Sequence, residues 1–211
     1  MRIVKEYEER RNEILETAEK LFVTKGYMKT TINDILKEIG IAKGTFYHYF
    51  NSKEEVMDEI IMRIIKVDVA KAKAIVSNPD IPVLDKLFRV LMEQSPKSGD
   101  IKEKMIEQFH QPNNAEMHQK SLVQSIIHLS PVLAEVLKQG IEEGIFSTPY
   151  PQETIELLIS SAQVIFDDGL FQWKPEEMMR RAEAYIKMME ASVGAKEGSF
   201  DYMLEVLIKQ K

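Results

Sequence analysis

The sequence predicts an all-α protein in which three short N-terminal helices precede a longer helical body. Apolar residues recur three and four residues apart, at helical spacing, along nearly the whole chain. The period-two alternation of a half-buried strand is nearly absent. Breaks between the apolar stripes carry glycine, proline, asparagine or serine, the residues that end helices and form turns. These observations predict about ten helices in 211 residues.

The first two helices are predicted from apolar stripes and from signals at their ends. The first stripe comprises Ile14, Ala18, Leu21 and Phe22, and its helix is expected to end at Gly26. Thr31 and Asp34 have the spacing of a capping box, which opens a second helix. The stripe of that helix comprises Ile32, Ile35, Leu36 and Ile39, and Gly40 closes it.

A short third helix is predicted over 43–49, and a long fourth helix follows it. Phe46, Tyr49 and Phe50 are spaced to form one apolar face, which should pack the third helix on the first two. Ser52 and Glu55 have capping-box spacing and open the fourth helix. Its apolar positions include Val56, Ile60, Ile64 and Val67, and Asn78-Pro79 marks its end.

The second half of the chain continues as helices separated by short breaks. Ser130-Pro131 indicates a helix start, with serine as N-cap and proline at the first helical position, where its missing N–H is harmless. Ser147-Thr148-Pro149-Tyr150-Pro151 is the clearest linker. The helices are predicted over 83–95, 101–111, 115–129, 130–144, 153–171, 175–193 and 200–209.

The composition excludes several classes of site. The chain has no cysteine, so it holds no disulfide, thiolate nucleophile or cysteine-ligated zinc. It has no P-loop, no Gly-x-Gly-x-x-Gly and no His-Glu-x-x-His, and no cofactor is predicted. The N-terminus lacks the apolar segment of a signal peptide, and no apolar run reaches membrane-spanning length. A soluble cytoplasmic protein is therefore expected.

The net charge of −6 is unevenly distributed along the sequence. Between residues 20 and 53, six lysines stand against two acidic residues, whereas the rest of the chain is acidic. Lysines near phosphates supply the part of DNA affinity that does not depend on sequence. A small basic module on an acidic body therefore favours a nucleic-acid partner.

The third helix presents a second set of residues, away from its apolar face. These residues are Lys43, Gly44, Thr45, Tyr47 and His48. Glycine allows close approach of the backbone to DNA, the tyrosine hydroxyl can donate to a phosphate, and the threonine and histidine can reach base edges or phosphates. A helix that only had to pack would not need this outward set, so the pattern predicts a DNA-binding surface.

Three residues outside the third helix complete the predicted DNA contacts. Thr31 and Lys53 stand at the starts of the second and fourth helices, where the helix dipole favours a phosphate. Asn33 lies in the first turn of the second helix and could read a base edge. A cap role for Thr31 and a solvated lysine at position 53 are the alternatives.

The run from Thr30 to Lys53, and the Glu54-Glu55 that follows it, closely resembles the N-terminal signature of the TetR/AcrR family of bacterial transcriptional regulators. The matching letters are Thr-Thr-Ile-x-Asp-Ile followed by Gly-Ile-Ala-Lys-Gly-Thr-Phe-Tyr-His-Tyr-Phe-x-Ser-Lys-Glu-Glu. The resemblance implies a helix-turn-helix DNA-binding domain over 1–52 and a ligand-binding and dimerisation domain over 53–211. It also implies a homodimeric repressor, released from a pseudo-palindromic operator by a small molecule.

The specific match covers roughly residues 10–56, and the all-helical remainder of the chain is consistent with the family. The helices over 153–171 and 175–193 are the expected dimer helices, because the first of them is apolar on two faces and needs two partners. The ligand site is expected between helices four to eight. The candidates for its lining are Met62, Phe88, Met105, Phe109, Gln124, His128 and Phe166.

Two other readings stay open from the sequence. A DNA-binding protein of this type could be controlled by a protein partner, or by no effector at all. Glu107 and His110 have the Glu-x-x-His spacing of di-iron helical bundles, which would indicate a metal-binding enzyme. Such bundles need two motifs of this kind, and the sequence holds one, so the resemblance to a regulator is preferred.

Overall fold

The computed structural model describes residues 2–94 and 99–204, and within them it contains helices and no strand. The described part of the chain forms nine α-helices and one 3₁₀ turn, which confirms the all-α prediction. The α-helices are Arg2–Lys25 (α1), Ile32–Ile39 (α2), Lys43–Tyr49 (α3), Lys53–Val76 (α4), Val83–Gln94 (α5), Ile101–Phe109 (α6), Ala115–Glu142 (α7), Pro151–Ile165 (α8) and Pro175–Val193 (α9), and the 3₁₀ turn is Pro112–Asn114.

The chain divides into two compact units. The first unit comprises residues 1–66 and 96–121, and the second comprises residues 67–95 and 122–211. The predicted DNA-binding domain, 1–52, lies within the first unit, which also contains the beginning of α4 and all of α6. The predicted boundary at residue 52 stays a prediction.

The first unit is built on large side chains that are fully buried. They come from α1, α2, α3 and the residue after it, α4 and α6, and the largest are Phe22, Phe46, Phe50, Ile14, Leu15, Ile35, Met57, Ile60 and Met105. Thr31 and Asp34 form the predicted capping box: the Asp34 N–H donates to Thr31 Oγ1 at 3.1 Å, and the Thr31 N–H donates to Asp34 Oδ2 at 2.8 Å. Gly40 ends α2 with a φ of 80°, which a glycine adopts without strain.

The start of α4 differs in detail from the predicted capping box. Ser52 Oγ accepts from the Glu55 N–H at 3.1 Å, as predicted. The Glu55 carboxylate does not return to Ser52, because it accepts from the backbone N–H and the side-chain amide of Asn51, at 2.6 and 2.9 Å. Two donors on one residue hold the carboxylate more firmly than the single N–H of a capping box.

The predicted helix break at Ser130-Pro131 is wrong, because α7 runs through both residues as one helix of 28 residues. An interior proline removes one helical hydrogen bond and costs about 3 kcal/mol. Burial on both sides of Pro131 offsets that cost, since Leu129, Val132 and Leu133 lie in the core of the second unit. Ser130 is itself buried, and its Oγ accepts from Gln152 Nε2 at 2.9 Å.

The predicted helix over 153–171 ends early, because α8 stops at Ile165. The Asp167 side chain bonds to backbone groups that would otherwise need partners within a helix. Its Oδ1 accepts from the N–H groups of Gly169 and Leu170, at 2.8 and 3.0 Å. Trp173 Nε1 donates to the Ile165 carbonyl at 2.9 Å, which satisfies one acceptor at the helix end.

The segment after α9 is held in the core of the second unit. Phe200 is fully buried, and its N–H donates to Oε1 of the buried Glu190 at 2.9 Å. Tyr202 donates from its hydroxyl to the Leu84 carbonyl on α5 at 3.1 Å. Of the helix predicted over 200–209, residues 201–204 are helical, and 205–209 lie outside the described residues.

Candidate nucleic-acid interface

The third helix divides into a buried and an exposed face, as its sequence predicts. Phe46 and Phe50 are completely or almost completely buried and fix α3 to the core of the first unit. The residues Lys43, Gly44, Tyr47 and His48 are exposed, and Thr45 is half-buried. The lysine ammonium lies 5.8 Å from the centroid of the Tyr47 ring, so these two side chains form one cation–π pair on the surface.

An aromatic residue of α1, Tyr7, contacts the C-terminal end of α3. Tyr7 lies 5.7 Å from His48 and 4.6 Å from Tyr49, measured between ring centroids. Tyr49 is half-buried, so it completes the predicted packing face through α1. Tyr7 was not among the predicted site residues, because nothing local in the sequence links it to a helix about forty residues away.

The six lysines between residues 20 and 53 have different partners. Lys20 forms an ion pair with Glu38 at 3.1 Å, and Lys25 forms one with Asp34 at 2.6 Å. Lys29, Lys37 and Lys43 are exposed, and no carboxylate pairs with them in the described part of the chain. These three cations are therefore available to phosphates, and two of them were not predicted as site residues.

The exposed side of α2 carries two residues suited to DNA. Asn33 and Lys37 are four residues apart, so they lie on the same side of the helix, and both are exposed. Thr31 is exposed but occupied, because its hydroxyl donates to Asp34 Oδ2 at 2.7 Å while it caps α2. The alternative role of Thr31 as a helix cap is thus present in the structure.

Asp34 connects the cap of α2 with α1. The Lys25 ammonium, and then the N–H and hydroxyl of Thr31, hold the pKa of the Asp34 carboxyl well below its ordinary value. A depressed pKa in the folded state adds stability above the unfolded-state pKa, which is about 3.9 for aspartate. That contribution is lost progressively as the pH falls from the unfolded-state pKa to the lower folded-state pKa.

Replacing Asp34 by asparagine is therefore expected to weaken the loss of stability in acid. The free energy of unfolding of the wild type should fall between pH 5 and pH 3 more than that of Asp34→Asn, as measured by denaturant titration at both values. Asp80→Asn is the matched control, because the exposed Asp80 carboxylate contacts no cation in the described residues. Equal acid dependence in wild type and Asp34→Asn would contradict the assignment.

Lys53 is half-buried, and its ammonium points into the first unit. Its Nζ donates to the carbonyls of Tyr27 and Thr30 at 2.8 and 3.0 Å, and lies 4.0 Å from the centroid of the Tyr27 ring. Burial lowers the pKa of the Lys53 ammonium. The predicted phosphate contact of this residue stays a prediction, and its observed partners lie in the α1–α2 loop.

The seven predicted ligand residues fall in both compact units. Met62, Met105 and Phe109 belong to the first unit, and Met105 and Phe109 are buried in it. The second unit holds Phe88, which contacts Tyr202, and Phe166, which contacts Tyr185, at centroid distances of 5.6 and 5.5 Å. It also holds Gln124, half-buried, and His128, exposed. The prediction that they line one ligand site stays a prediction.

The second unit encloses a small apolar cavity of about 20 Å³. Its lining comprises Leu87, Leu91, Leu133, Ile155, Leu158, Ile159, Tyr185 and Met189, and none of the predicted ligand residues is among them. The Tyr185 hydroxyl donates to the Leu158 carbonyl at 2.9 Å, and burial raises the pKa of that hydroxyl to about 12. A cavity of this size has room for about one water molecule.

Large apolar side chains are exposed on α8 and α9. Leu157 is 73% exposed and Val164 is 40% exposed on α8, and Met188 is 44% exposed on α9. The opposite side of α8 carries Ile155, Leu158 and Ile159 into the core. The two apolar faces that the sequence predicts for this helix are therefore both present, one buried and one exposed.

Two family models match the chain. One is described as bacterial regulatory proteins of the tetR family and matches residues 14–60, and the other is described as a tetracyclin repressor-like C-terminal domain and matches residues 97–188. The first match contains α2, α3 and the start of α4, where the exposed cations lie. Among the helices in the described residues, none combines the length and the apolar character needed to cross a membrane.

The chain is also similar to individual regulators. It is 26% identical to the HTH-type transcriptional regulator YhgD of Bacillus subtilis, over 88% of this chain and 95% of that protein. It is 29% identical to the HTH-type transcriptional repressor KstR2 of Mycobacterium tuberculosis, over 69% of this chain and 73% of that protein. A TetR-family regulator from Pectobacterium atrosepticum has a similar fold, with a TM-score of 0.61, 18% identity, and coverage of 87% and 92%.

Proposed function

We propose a function for this chain from one premise, which is that it belongs to the TetR/AcrR family of transcriptional regulators. The chain is a DNA-binding regulator of transcription. The finer proposal is that it represses transcription from a pseudo-palindromic operator and leaves that operator when a small molecule binds. The observation that carries the proposal is the exposed face of α3, seated on the buried Phe46 and Phe50.

The proposed role of α3 is to enter the major groove. Lys43 and His48 can meet base edges or phosphates, Thr45 offers a hydroxyl to either, and Gly44 lets the backbone come close. The Tyr47 hydroxyl donates to a phosphate. Apart from its chain neighbours and the backbone of α3, no atom of the described residues lies within 4 Å of a Cβ placed at Gly44, so this part of the helix surface is open.

The proposed role of α2 is to contact the adjoining DNA backbone and one base edge. Asn33 is suited to a base edge, and Lys37 to a phosphate, because they share one exposed side of the helix. Thr31 is proposed to donate its hydroxyl proton to a phosphate in place of Asp34 Oδ2, while its oxygen still accepts from the Asp34 N–H and caps α2. Lys29 and Lys37 extend the positive charge beyond α3, which raises the affinity and its dependence on salt.

A homodimer is proposed to set the spacing of the two α3 helices. The exposed Leu157, Val164 and Met188 offer an apolar surface on α8 and α9 for a second copy of the chain. Two α3 helices read two half-sites about 34–36 Å apart, or a related distance, on one face of the DNA. The two-fold symmetry of the dimer then requires a palindromic operator.

Release by a small molecule is proposed as a shift between two populations. The ligand is proposed to bind more tightly to a dimer whose α3 helices are wrongly spaced for the operator than to a dimer that fits it. The ratio of the ligand's affinities for these two states sets how far the equilibrium between them can shift. Met62, Phe88, Met105, Phe109, Gln124, His128 and Phe166 are the proposed ligand contacts. The helix α4 contributes residues to both compact units and is the proposed lever for this shift.

Selection of bound DNA from a random pool tests the proposed function most directly. The expected result is a palindromic consensus, whose half-site spacing reports the separation of the two α3 helices. A consensus without two-fold symmetry would contradict the proposed dimer. Recovery of no preferred sequence at moderate salt would contradict the operator-binding function itself.

Replacing Leu157 by glutamate is expected to dissociate the proposed dimer. A carboxylate would be buried without a partner in the interface, and the dimer dissociation constant should rise about a hundredfold or more. Light scattering over a concentration series measures this change. Met28→Glu is the control, because Met28 is 54% exposed but lies in the first unit. A Leu157→Glu protein that stays dimeric at nanomolar concentration would contradict the interface.

A further inference from the structure

The aromatic ring of Tyr7 on α1 packs against the C-terminal end of α3. It lies 5.7 Å from the His48 ring at an interplanar angle of 80°, and 4.6 Å from the Tyr49 ring, measured between centroids. The rings of His48 and Tyr49 are neighbours as well, with 5.1 Å between their centroids and 85° between their planes. Aromatic rings attract one another at these distances, so the three rings form one cluster.

The position of Tyr7 is fixed by the core of the first unit. Tyr7, Arg11 and Ile14 are four and three residues apart, so they lie on one face of α1. The Arg11 guanidinium lies 5.1 Å from the centroid of the Phe50 ring at the end of α3, and Ile14 is completely buried. The face of α1 that carries Tyr7 is therefore held against the core, and its half-buried ring is a firm support for a neighbouring side chain.

His48 is exposed on the surface of α3 that is proposed to face DNA. An exposed side chain samples several rotamers, and ordering one such side chain on binding lowers the affinity by a factor of roughly two to ten. The contacts with Tyr7 and Tyr49 restrict the His48 ring before DNA is bound, because a change of rotamer would lose them. A ring that is already ordered avoids that loss of affinity.

We propose that Tyr7 is a positioning residue for DNA binding, which holds the His48 ring in the orientation that contacts DNA. This role rests on the proposed DNA-binding function, and it adds to the contact of His48 itself with a base edge or a phosphate. The two residues meet through their rings, so the proposal requires the aromatic ring of Tyr7 and not its hydroxyl. The effect of Tyr7 on DNA affinity should therefore be transmitted through His48.

A double-mutant cycle tests whether Tyr7 acts through His48. Tyr7→Leu removes the ring and keeps an apolar side chain, and we expect it to weaken binding about tenfold per dimer, because both subunits lose an ordered histidine. In a His48→Ala background, the same change should alter the affinity by less than about twofold. The DNA is a duplex of about 40 base pairs that the wild type selects from a random pool, and fluorescence anisotropy measures the affinity.

Tyr7→Phe is the matched control, because it keeps the ring and should retain the wild-type affinity. Equal weakening by Tyr7→Leu in the wild-type and His48→Ala backgrounds would overturn the positioning role, because Tyr7 would then act independently of His48. Weakening by Tyr7→Phe would overturn it too, since the hydroxyl would then be the group that DNA binding needs. A Tyr7→Leu protein that binds as the wild type does would lead to the same conclusion.

A measurement on the wild type covers the case in which Tyr7→Leu does not fold. NMR detects a nuclear Overhauser effect between ring protons that lie close together. We expect this effect between the rings of Tyr7 and His48 in the free protein and again in the DNA complex. Its absence in either state would contradict the proposal. Failure of the wild type to bind any selected duplex would instead contradict the proposed function.

Discussion

Replacing Lys43 and Tyr47 together by alanine should lower the affinity for the selected operator about a hundredfold or more and leave the protein folded. Both side chains are exposed on α3 and form one cation–π pair, so their removal opens no cavity in the core. Their expected contribution is one groove contact and one phosphate contact, repeated in each subunit of the dimer. Fluorescence anisotropy with a labelled duplex measures the change.

The matched control for this double variant removes the same atoms elsewhere. Lys138 and Tyr150 are both exposed and lie in the second unit, so Lys138→Ala with Tyr150→Ala should bind the operator as the wild type does. Circular dichroism should show unchanged helix content in both double variants. Wild-type affinity in the Lys43→Ala, Tyr47→Ala protein would mean that α3 is not the recognition helix.

Replacing Gly140 by alanine should lower the free energy of unfolding by about 3 kcal/mol, at the upper end of the cost of overpacking. A Cβ at this position of α7 would lie 2.9 Å from Cγ of Phe146 and closer still to two other carbons of the ring. Phe146 is buried in the core of the second unit beside Phe200, whose ring centroid is 6.3 Å away. Denaturant titration measures the loss.

The control for Gly140→Ala is the same substitution on a surface helix. Gly44→Ala places its Cβ in open space, and alanine is a better helix former than glycine, so the free energy of unfolding should rise by about 0.5 kcal/mol. The difference between the two variants isolates the contact with Phe146 from the effect of glycine on the backbone. Equal stability of Gly140→Ala and wild type would show that the Phe146 ring has another place to pack.

The sequence predicts the bounds of α2 because its end signals are local. The Thr31–Asp34 cap and the left-handed Gly40 act within a few residues, so no knowledge of the rest of the fold is needed. The exposed face of α3 follows from helical spacing alone. The family resemblance then identifies which of these residues belong to DNA contact.

Features that depend on distant partners could not be predicted from the sequence. Pro131 is a strong local signal for a helix start, and it is overridden by burial of its neighbours in the core of the second unit. The partners of Lys53 are backbone carbonyls. Every residue has such a carbonyl, so the sequence of side chains does not indicate which ones the lysine contacts. The pairing of Lys20 and Lys25 with acids likewise separates lysines that look equivalent in the sequence.

The first compact unit is discontinuous, and this limits how such regulators can be recombined. Its second segment contains α6, which packs on α1 although some seventy-five residues of chain separate them. A hybrid that joins residues 1–52 of this chain to the sensing half of a relative would keep every predicted DNA contact except Lys53. It would also place a foreign helix against α1, where Met105 and Phe109 are now buried. Exchanges that carry α6 along with α1 to α4 preserve that packing, so functional chimeras should be built from three crossovers, near residues 66, 95 and 121, rather than from one.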